Sequence, residues 1–126
     1  MNWIDNAISV ESRMLSLRAQ RAEVIATNIA NADTPGYKAR DVRFSDVMGQ
    51  VASESLQASA PGHFSPGIAE AGSTVLREGS KENANGNTVS REFEQAAYTQ
   101  NAIQYMATLR FLNGSVQGLM KALRGD

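Results

Sequence analysis

Eight side chains near the C-terminus leave this chain little choice of local structure. Tyr98, Ala102, Tyr105, Leu109, Leu112, Val116, Leu119 and Leu123 are separated alternately by four and three residues, and every one is apolar or aromatic. Steps of four and three follow one side of an α-helix. At 1.5 Å per residue the line is about 39 Å long, too long for a strand and suited to a coiled-coil-like helix. Its ends carry matching signals. Asn85-Gly86-Asn87-Thr88 predicts a turn and an N-cap before a helix over 89–126, with Glu92 and Glu94 in the early turns. Lys121 and Arg124 suit the negative end of the helix dipole, and Gly125 suits a stop. Val89, Phe93, Ala96, Ile103 and Ala107 form a second apolar set, which predicts a second contact face.

The N-terminus predicts another helix, over 1–31, with Asn2 as its cap. One series of fours and threes is Ile4, Ile8, Glu11, Leu15, Arg18, Ala22, Ile25 and Ile29; a neighbouring one is Trp3, Ala7, Val10, Met14, Leu17, Arg21, Val24 and Asn28. Together they make an apolar face wider than a two-stranded seam needs, interrupted by Glu11, Arg18 and Arg21. The interruptions predict several neighbours, and charge pairs across helices. Between the helices, residues 32–48 form a turn and a short following segment, and 49–88 a connector. Gly, Pro, Ser, Ala, Asn and Thr occupy 25 of the 40 connector positions. A stretch so poor in large apolar side chains offsets little of its ordering cost, roughly 1–2 kcal/mol per residue. It is expected to be an irregular or partly β segment, either flexible or ordered on assembly. The fold class is therefore mainly α: two long terminal helices packed as a coiled-coil-like pair within a helical assembly. A lone hairpin buries one face of each helix, so the surplus apolar surface calls for other chains.

Composition removes most chemistry. Twelve basic against thirteen acidic residues leave a net charge of −1, without the basic excess that attracts phosphate backbones, so no nucleic-acid partner is expected. With no cysteine and a single histidine, His63, a zinc site using sulfur or several histidines is out of reach. The nearest acids in sequence to His63 are Glu54 and Glu70, in a stretch with the composition of a loop. Phosphate-binding glycine loops, nucleophile elbows and metalloprotease motifs are missing. No enzyme activity, cofactor, metal site or small-molecule substrate is expected. No apolar run reaches the eighteen to twenty residues of a membrane span, and MNWIDNAISV lacks the basic start of a cleaved signal peptide.

One segment is more specific. In Ala26-Thr27-Asn28-Ile29-Ala30-Asn31-Ala32-Asp33-Thr34-Pro35-Gly36-Tyr37-Lys38, Thr34 precedes a proline and is pushed out of the helical region. Pro35-Gly36 suits the centre of a type II turn, and Asn31 and Asp33 can bond backbone groups where the helix stops. The segment reads as a helix stop followed by a rigid exit. From Ile25 through Lys38 it closely resembles the N-terminal signature of the bacterial flagellar axial family, the rod, hook and hook-associated proteins. The continuation Ala39-Arg40-Asp41-Val42-Arg43-Phe44 is similar to proximal rod members, as are Asn85-Gly86-Asn87-Thr88-Val89 and the helix running through Asn101, Tyr105 and Leu112 to Leu123-Arg124-Gly125.

The resemblance implies a structural subunit of the proximal rod, part of the drive shaft that carries torque for flagellum-dependent motility. Family members pack their terminal helices side by side in a tube, which would occupy the wide apolar faces. It also implies export through the flagellar type III system without a cleaved signal. The implied partners are copies of the chain, neighbouring rod proteins, and the membrane-ring adaptor and export gate at the rod base. The residues expected to pack between subunits are Ile4, Ile8, Leu15, Ala22, Ile25 and Ile29 with the line from Tyr98 to Leu123. Asn28, Asn31, Thr34, Pro35, Gly36 and Tyr37 are expected to set the chain's exit from the first helix. Other readings stay open: another axial subunit, a helical adaptor or export chaperone masking its apolar face in a small dimer, and a small hydrolase using His63.

Overall fold

The computed structural model describes residues 2–45 and 73–125, with side chains from Ile8 onward in the first helix. His63, the side chain of Ile4, and the greater part of the connector lie outside the described residues. In chain order the elements are α1 (Asn2–Ala30), β1 (Arg40–Val42), β2 (Thr74–Leu76) and α2 (Arg91–Arg124). The architecture is mainly helical. The two long helices pack against each other, and a small sheet lies beside α1.

α1 ends where the sequence can no longer continue it. The Asn31 N–H is shared between the carbonyls of Thr27 and Asn28, both at 3.1 Å, and the Ala32 N–H reaches Ile29 O at 3.2 Å. This is the tightening expected of a last helical turn. The Thr34–Tyr37 reversal follows, closed by the Tyr37 N–H on Thr34 O at 3.3 Å. Gly36 sits in it at φ +72°, a conformation that L side chains adopt with strain.

The sheet is one antiparallel pair, with Arg40 opposite Leu76, Asp41 opposite Val75 and Val42 opposite Thr74. It delivers Val42 onto α1, where Val42 and Leu17 are buried together with Met14, Val24 and Phe44 packed around them. Ile25, Ala39, Val89 and Ala97 are also buried. The described part of the connector, 73–88, is partly β, with Thr74–Leu76 in the sheet and the rest in turns and irregular backbone, and it holds a fully buried asparagine, Asn87. Its order comes from backbone pairing and side-chain amides, a source that a count of large apolar residues does not register.

α2 begins later than the sequence suggests. Ser90 is its N-cap, with extended backbone and its Oγ accepting the Phe93 N–H at 3.4 Å; the Asn85–Thr88 segment does not supply the cap and Val89 is not helical. The reason is that the Asn87 side chain is committed elsewhere. At the other end Gly125, φ +75°, closes the helix by donating its N–H to Lys121 O at 3.0 Å, with Lys121 and Arg124 in the last turn.

Candidate functional site: a polar clasp and an outward apolar stripe

Two surfaces organise the molecule, and the first is a buried polar clasp at the turn end of the hairpin. Asn28 is fully buried on α1. Its Nδ2 donates to the Arg40 carbonyl at 2.8 Å while its Oδ1 accepts the Arg40 N–H at 3.0 Å, so one carboxamide pairs with the outer edge of β1 as a neighbouring strand would. The Tyr37 hydroxyl donates to the same Oδ1 at 3.3 Å, and Asn28 Nδ2 also reaches Glu94 Oε2 on α2 at 3.2 Å. A single side chain thereby ties α1, the turn, β1 and α2 together.

Glu94 is fully buried, and Arg77, following β2, holds it with both guanidinium nitrogens, NH1 onto Oε1 and NH2 onto Oε2. Arg77 NH2 also approaches Asp41 Oδ2 at 3.5 Å, and its guanidinium stacks 4.8 Å from the centre of the Phe93 ring. Arg21 grips Asp41 with Nε at 2.9 Å and NH2 at 3.1 Å. Burial pushes the Asp41 carboxyl up, but the bonds from Arg21 and the Val42 N–H, with the charges of Arg21 and Arg77, outweigh it and hold the group below its ordinary value. A buried carboxylate is tolerable only with such partners. The alternating series Arg21–Asp41–Arg77–Glu94 supplies them, from α1, β1, the residue after β2, and α2.

Asn87 makes the second half of the clasp. Its Nδ2 lies 2.9 Å from Asn31 O, 3.0 Å from Ala32 O and 2.8 Å from Thr34 O, while its Oδ1 accepts the Val89 N–H at 2.7 Å. It gathers the carbonyls of the turn that follows α1 from 55 residues away, adding to the backbone donors that Asn31 O and Thr34 O already have in Thr34 N–H and Tyr37 N–H. Around it, Gly36 N–H donates to Asn85 O and Thr88 N–H to Tyr37 O, each at 3.0 Å, and the Ala39 N–H donates to Thr88 Oγ1 at 2.8 Å. A Cβ on Gly86 would stand 3.4 Å from Gly36 Cα, so the two turns touch through their glycines.

The second surface is the helical pair itself. The buried residues of α2 are Glu94, Ala97 and Asn101, two of them polar. Asn101 Nδ2 donates to Arg18 O at 2.8 Å, Arg18 NH1 to Gln104 Oε1 at 2.5 Å, and Ser115 Oγ to Glu11 Oε1 at 3.5 Å. The charge pairs expected across the helices at Glu11, Arg18 and Arg21 take this other form. Glu11 and Arg18 meet neutral groups on α2, and Arg21 turns to β1.

The apolar line lies to one side of this seam. Tyr98, Tyr105, Leu109, Val116 and Leu123 are exposed, Leu123 at 75%; Ala102, Leu112 and Leu119 are half-buried. On α1, Ile25 is buried, and Ile8, Leu15, Ala22 and Ile29 are half-buried. Between the helices Ala19, Ala22 and Ala102 line a groove of about 360 Å³ with Tyr98, Tyr105 and Met106. Of the turn residues, Asn28 is buried, Asn31 and Tyr37 are half-buried, and Thr34, Pro35 and Gly36 are exposed. Glu94, Arg77, Asp41, Asn87 and Asn101 were missed as a set.

Among the described residues no cluster of acids and histidines could hold a metal ion, and no helix is long and apolar enough to cross a membrane.

Comparison with known proteins agrees with this arrangement. The family model described as flagella basal body rod protein matches residues 10–38, which span most of α1 and the turn. Over nearly the full length, the chain is 36% identical to the flagellar basal body rod protein FlgB of Aeromonas hydrophila, covering 97% of this chain and 96% of the relative. It is 34% identical to FlgB of Escherichia coli (strain K12), covering 98% and 97%, and 33% identical to FlgB of Cereibacter sphaeroides over the whole of both chains. With full-length similarity in step with the turn motif and the helical pair, the chain belongs to the FlgB family of flagellar basal body rod proteins.

Proposed function

We infer that this chain is a structural subunit of the proximal rod of the flagellar basal body, a drive-shaft component with no catalytic step. The observation that carries the reading is a helical pair whose apolar stripe faces outward, in a chain that matches rod proteins end to end. A hairpin that turns its polar side inward and leaves Phe111 70% and Leu123 75% exposed has its apolar surface available for neighbours. Subunit contacts that repeat head to tail without closing build a helical assembly. In such a shaft, Ile4, Ile8, Leu15, Ala22 and Ile29 pack between subunits with the line from Tyr98 to Leu123, whereas Ile25, expected among them, is fully buried inside the chain and has no surface left to offer a neighbour. Torque passes through these contacts, and the clasp fixes the angle at which the turn leaves the shaft. The partners are copies of the chain, adjacent rod proteins, and the membrane-ring adaptor and export gate at the rod base. The chain reaches them by type III export.

The test is electron microscopy of basal bodies from a strain lacking the gene, with a swimming assay. Loss of rod and hook together with motility, all restored by the gene, is the expected result. Intact basal bodies and normal swimming would overturn the reading and favour a helical adaptor.

A further inference from the structure

Asparagine is followed by glycine twice in this chain, at Asn85-Gly86 and Asn113-Gly114. This pair can react with itself. The main-chain nitrogen of the glycine attacks the asparagine Cγ, forming an N–Cγ bond in a five-membered succinimide, and the side-chain nitrogen leaves as ammonia. Water then opens the ring at either carbonyl, giving aspartate or isoaspartate. The reaction needs a deprotonated glycine nitrogen, a polarised Cγ carbonyl, and a backbone free to bring the two together.

We propose that Asn85 is a site of spontaneous deamidation activated by the fold, and that Asn113 is not. Three features distinguish them. The Asn87 N–H donates to Asn85 Oδ1 at 3.1 Å, an Asx turn that folds the carboxamide back along the chain and draws electron density from Cγ. The Gly36 N–H donates to Asn85 O at 3.0 Å, and this is the oxygen on which charge accumulates when the Gly86 nitrogen loses its proton. Fixed donors aimed at developing charge are the means by which oxyanions are stabilised elsewhere. Asn85 is also exposed in a loop, whereas Asn113 and Gly114 lie inside α2, where the helix ties up the glycine amide.

Two backbone contacts oppose the reaction. The Gly86 N–H donates to Asn83 O at 2.9 Å and must be released first, and the Asn83 N–H on Asn87 O at 2.8 Å closes the same loop. Both bonds lie in a surface turn with Asn83 and Asn85 exposed, and local openings of such turns cost less than global unfolding.

The product matters because of where it forms. Isoaspartate routes the main chain through the former side chain, adding a methylene and displacing both the oxygen that Gly36 holds and the one that Asn87 holds. Asn87 is the residue that holds the turn after α1 through the carbonyls of Asn31, Ala32 and Thr34. Ageing at this one loop position therefore loosens the turn after α1 at a distance in sequence.

The experiment is peptide mapping of the purified, folded chain incubated at mildly alkaline pH, with mass and isoaspartate read separately at Asn85 and Asn113. Asn85 is expected to convert at least about tenfold faster than Asn113. In denaturant the Asn85 rate should fall below its folded value while that of Asn113 rises, and Asn85→Gln should remove the signal. Equal rates at the two sites in the folded chain, or an Asn85 rate no faster folded than denatured, would overturn the proposal. Hydrogen exchange then compares the isoaspartate product with an Asn85→Asp variant, which keeps the normal backbone. Faster exchange at Gly36 and Val89 in the isoaspartate product alone supports the loosening, and equal exchange in both refutes it.

Discussion

Asn28, Glu94 and Asn87 are fully buried and each bonds several backbone or side-chain polar groups, so their removal is costly for a reason unrelated to their size. Glu94→Ala removes the main counter-charge of Arg77, leaving it the 3.5 Å approach to Asp41 and the Phe93 ring, and takes from Asn28 Nδ2 its bond to α2. A loss of about 3–5 kcal/mol in unfolding free energy is expected, measured by denaturant titration. A double-mutant cycle with Arg77 separates the pair's coupling from the desolvation left behind. Asp41 provides a second test. Its carboxyl is held below its ordinary value in the fold, so its stabilising contribution is complete above the unfolded value, about 3.9, and is lost as pH falls from there through the folded value. Asp41→Asn should lower stability at neutral pH and flatten the acid side of the stability profile below about pH 4. A variant whose acid profile matches the parent's would show that Asp41 does not carry this dependence.

At the level of elements, the turn after α1 and the loop before α2 are one unit, because Gly36 and Gly86 meet and Asn87 reaches back to the end of α1. Gly36→Val has room for a side chain, with nothing within 4 Å of the new Cβ, so its penalty is that of the left-handed backbone alone. That amounts to about 1–2 kcal/mol, larger in effect for a β-branched residue, and should appear as a lowered melting temperature with helix content retained below it. α2 shows how one helix serves two surfaces. Its Glu94, Ala97 and Asn101 side is spent on the hairpin, leaving the neighbouring apolar line for contacts outside it.

Across the whole molecule, the hairpin is closed by polar contacts while much of its large apolar surface on α2 stays open, which suits a subunit more than a stand-alone domain. Leu112→Asp tests this. Leu112 is half-buried beside the seam, and a carboxylate there is desolvated once a neighbouring helix covers it, at a cost of several kcal/mol. The expected outcome is a chain that still folds its clasp but fails to enter basal bodies, scored by their protein content and by swimming. Normal incorporation would defeat the packing model.

Much of this was decided before any tertiary contact. The alternation of fours and threes from Tyr98 to Leu123 dictates a long helix through backbone periodicity alone, and Thr34-Pro35-Gly36 stops α1 through steric limits on φ and ψ, both local causes written in consecutive residues. The turn motif also carried the family resemblance, since its residue types are constrained together. The clasp was not legible in that way. Whether Asn87 caps the helix after it or holds the turn that ends the one before it depends on which carbonyls come within 3 Å, and those of Asn31, Ala32 and Thr34 belong to a segment far back in the chain. The same holds for Glu94, whose position in a first helical turn suggests a solvated partner for the dipole until Arg77 and Asn28 are brought around it. Periodicity and turn chemistry act between neighbours in sequence. The partners of buried polar groups are chosen by tertiary proximity, and here that choice alone placed the polar side of α2 inward and its apolar line outward.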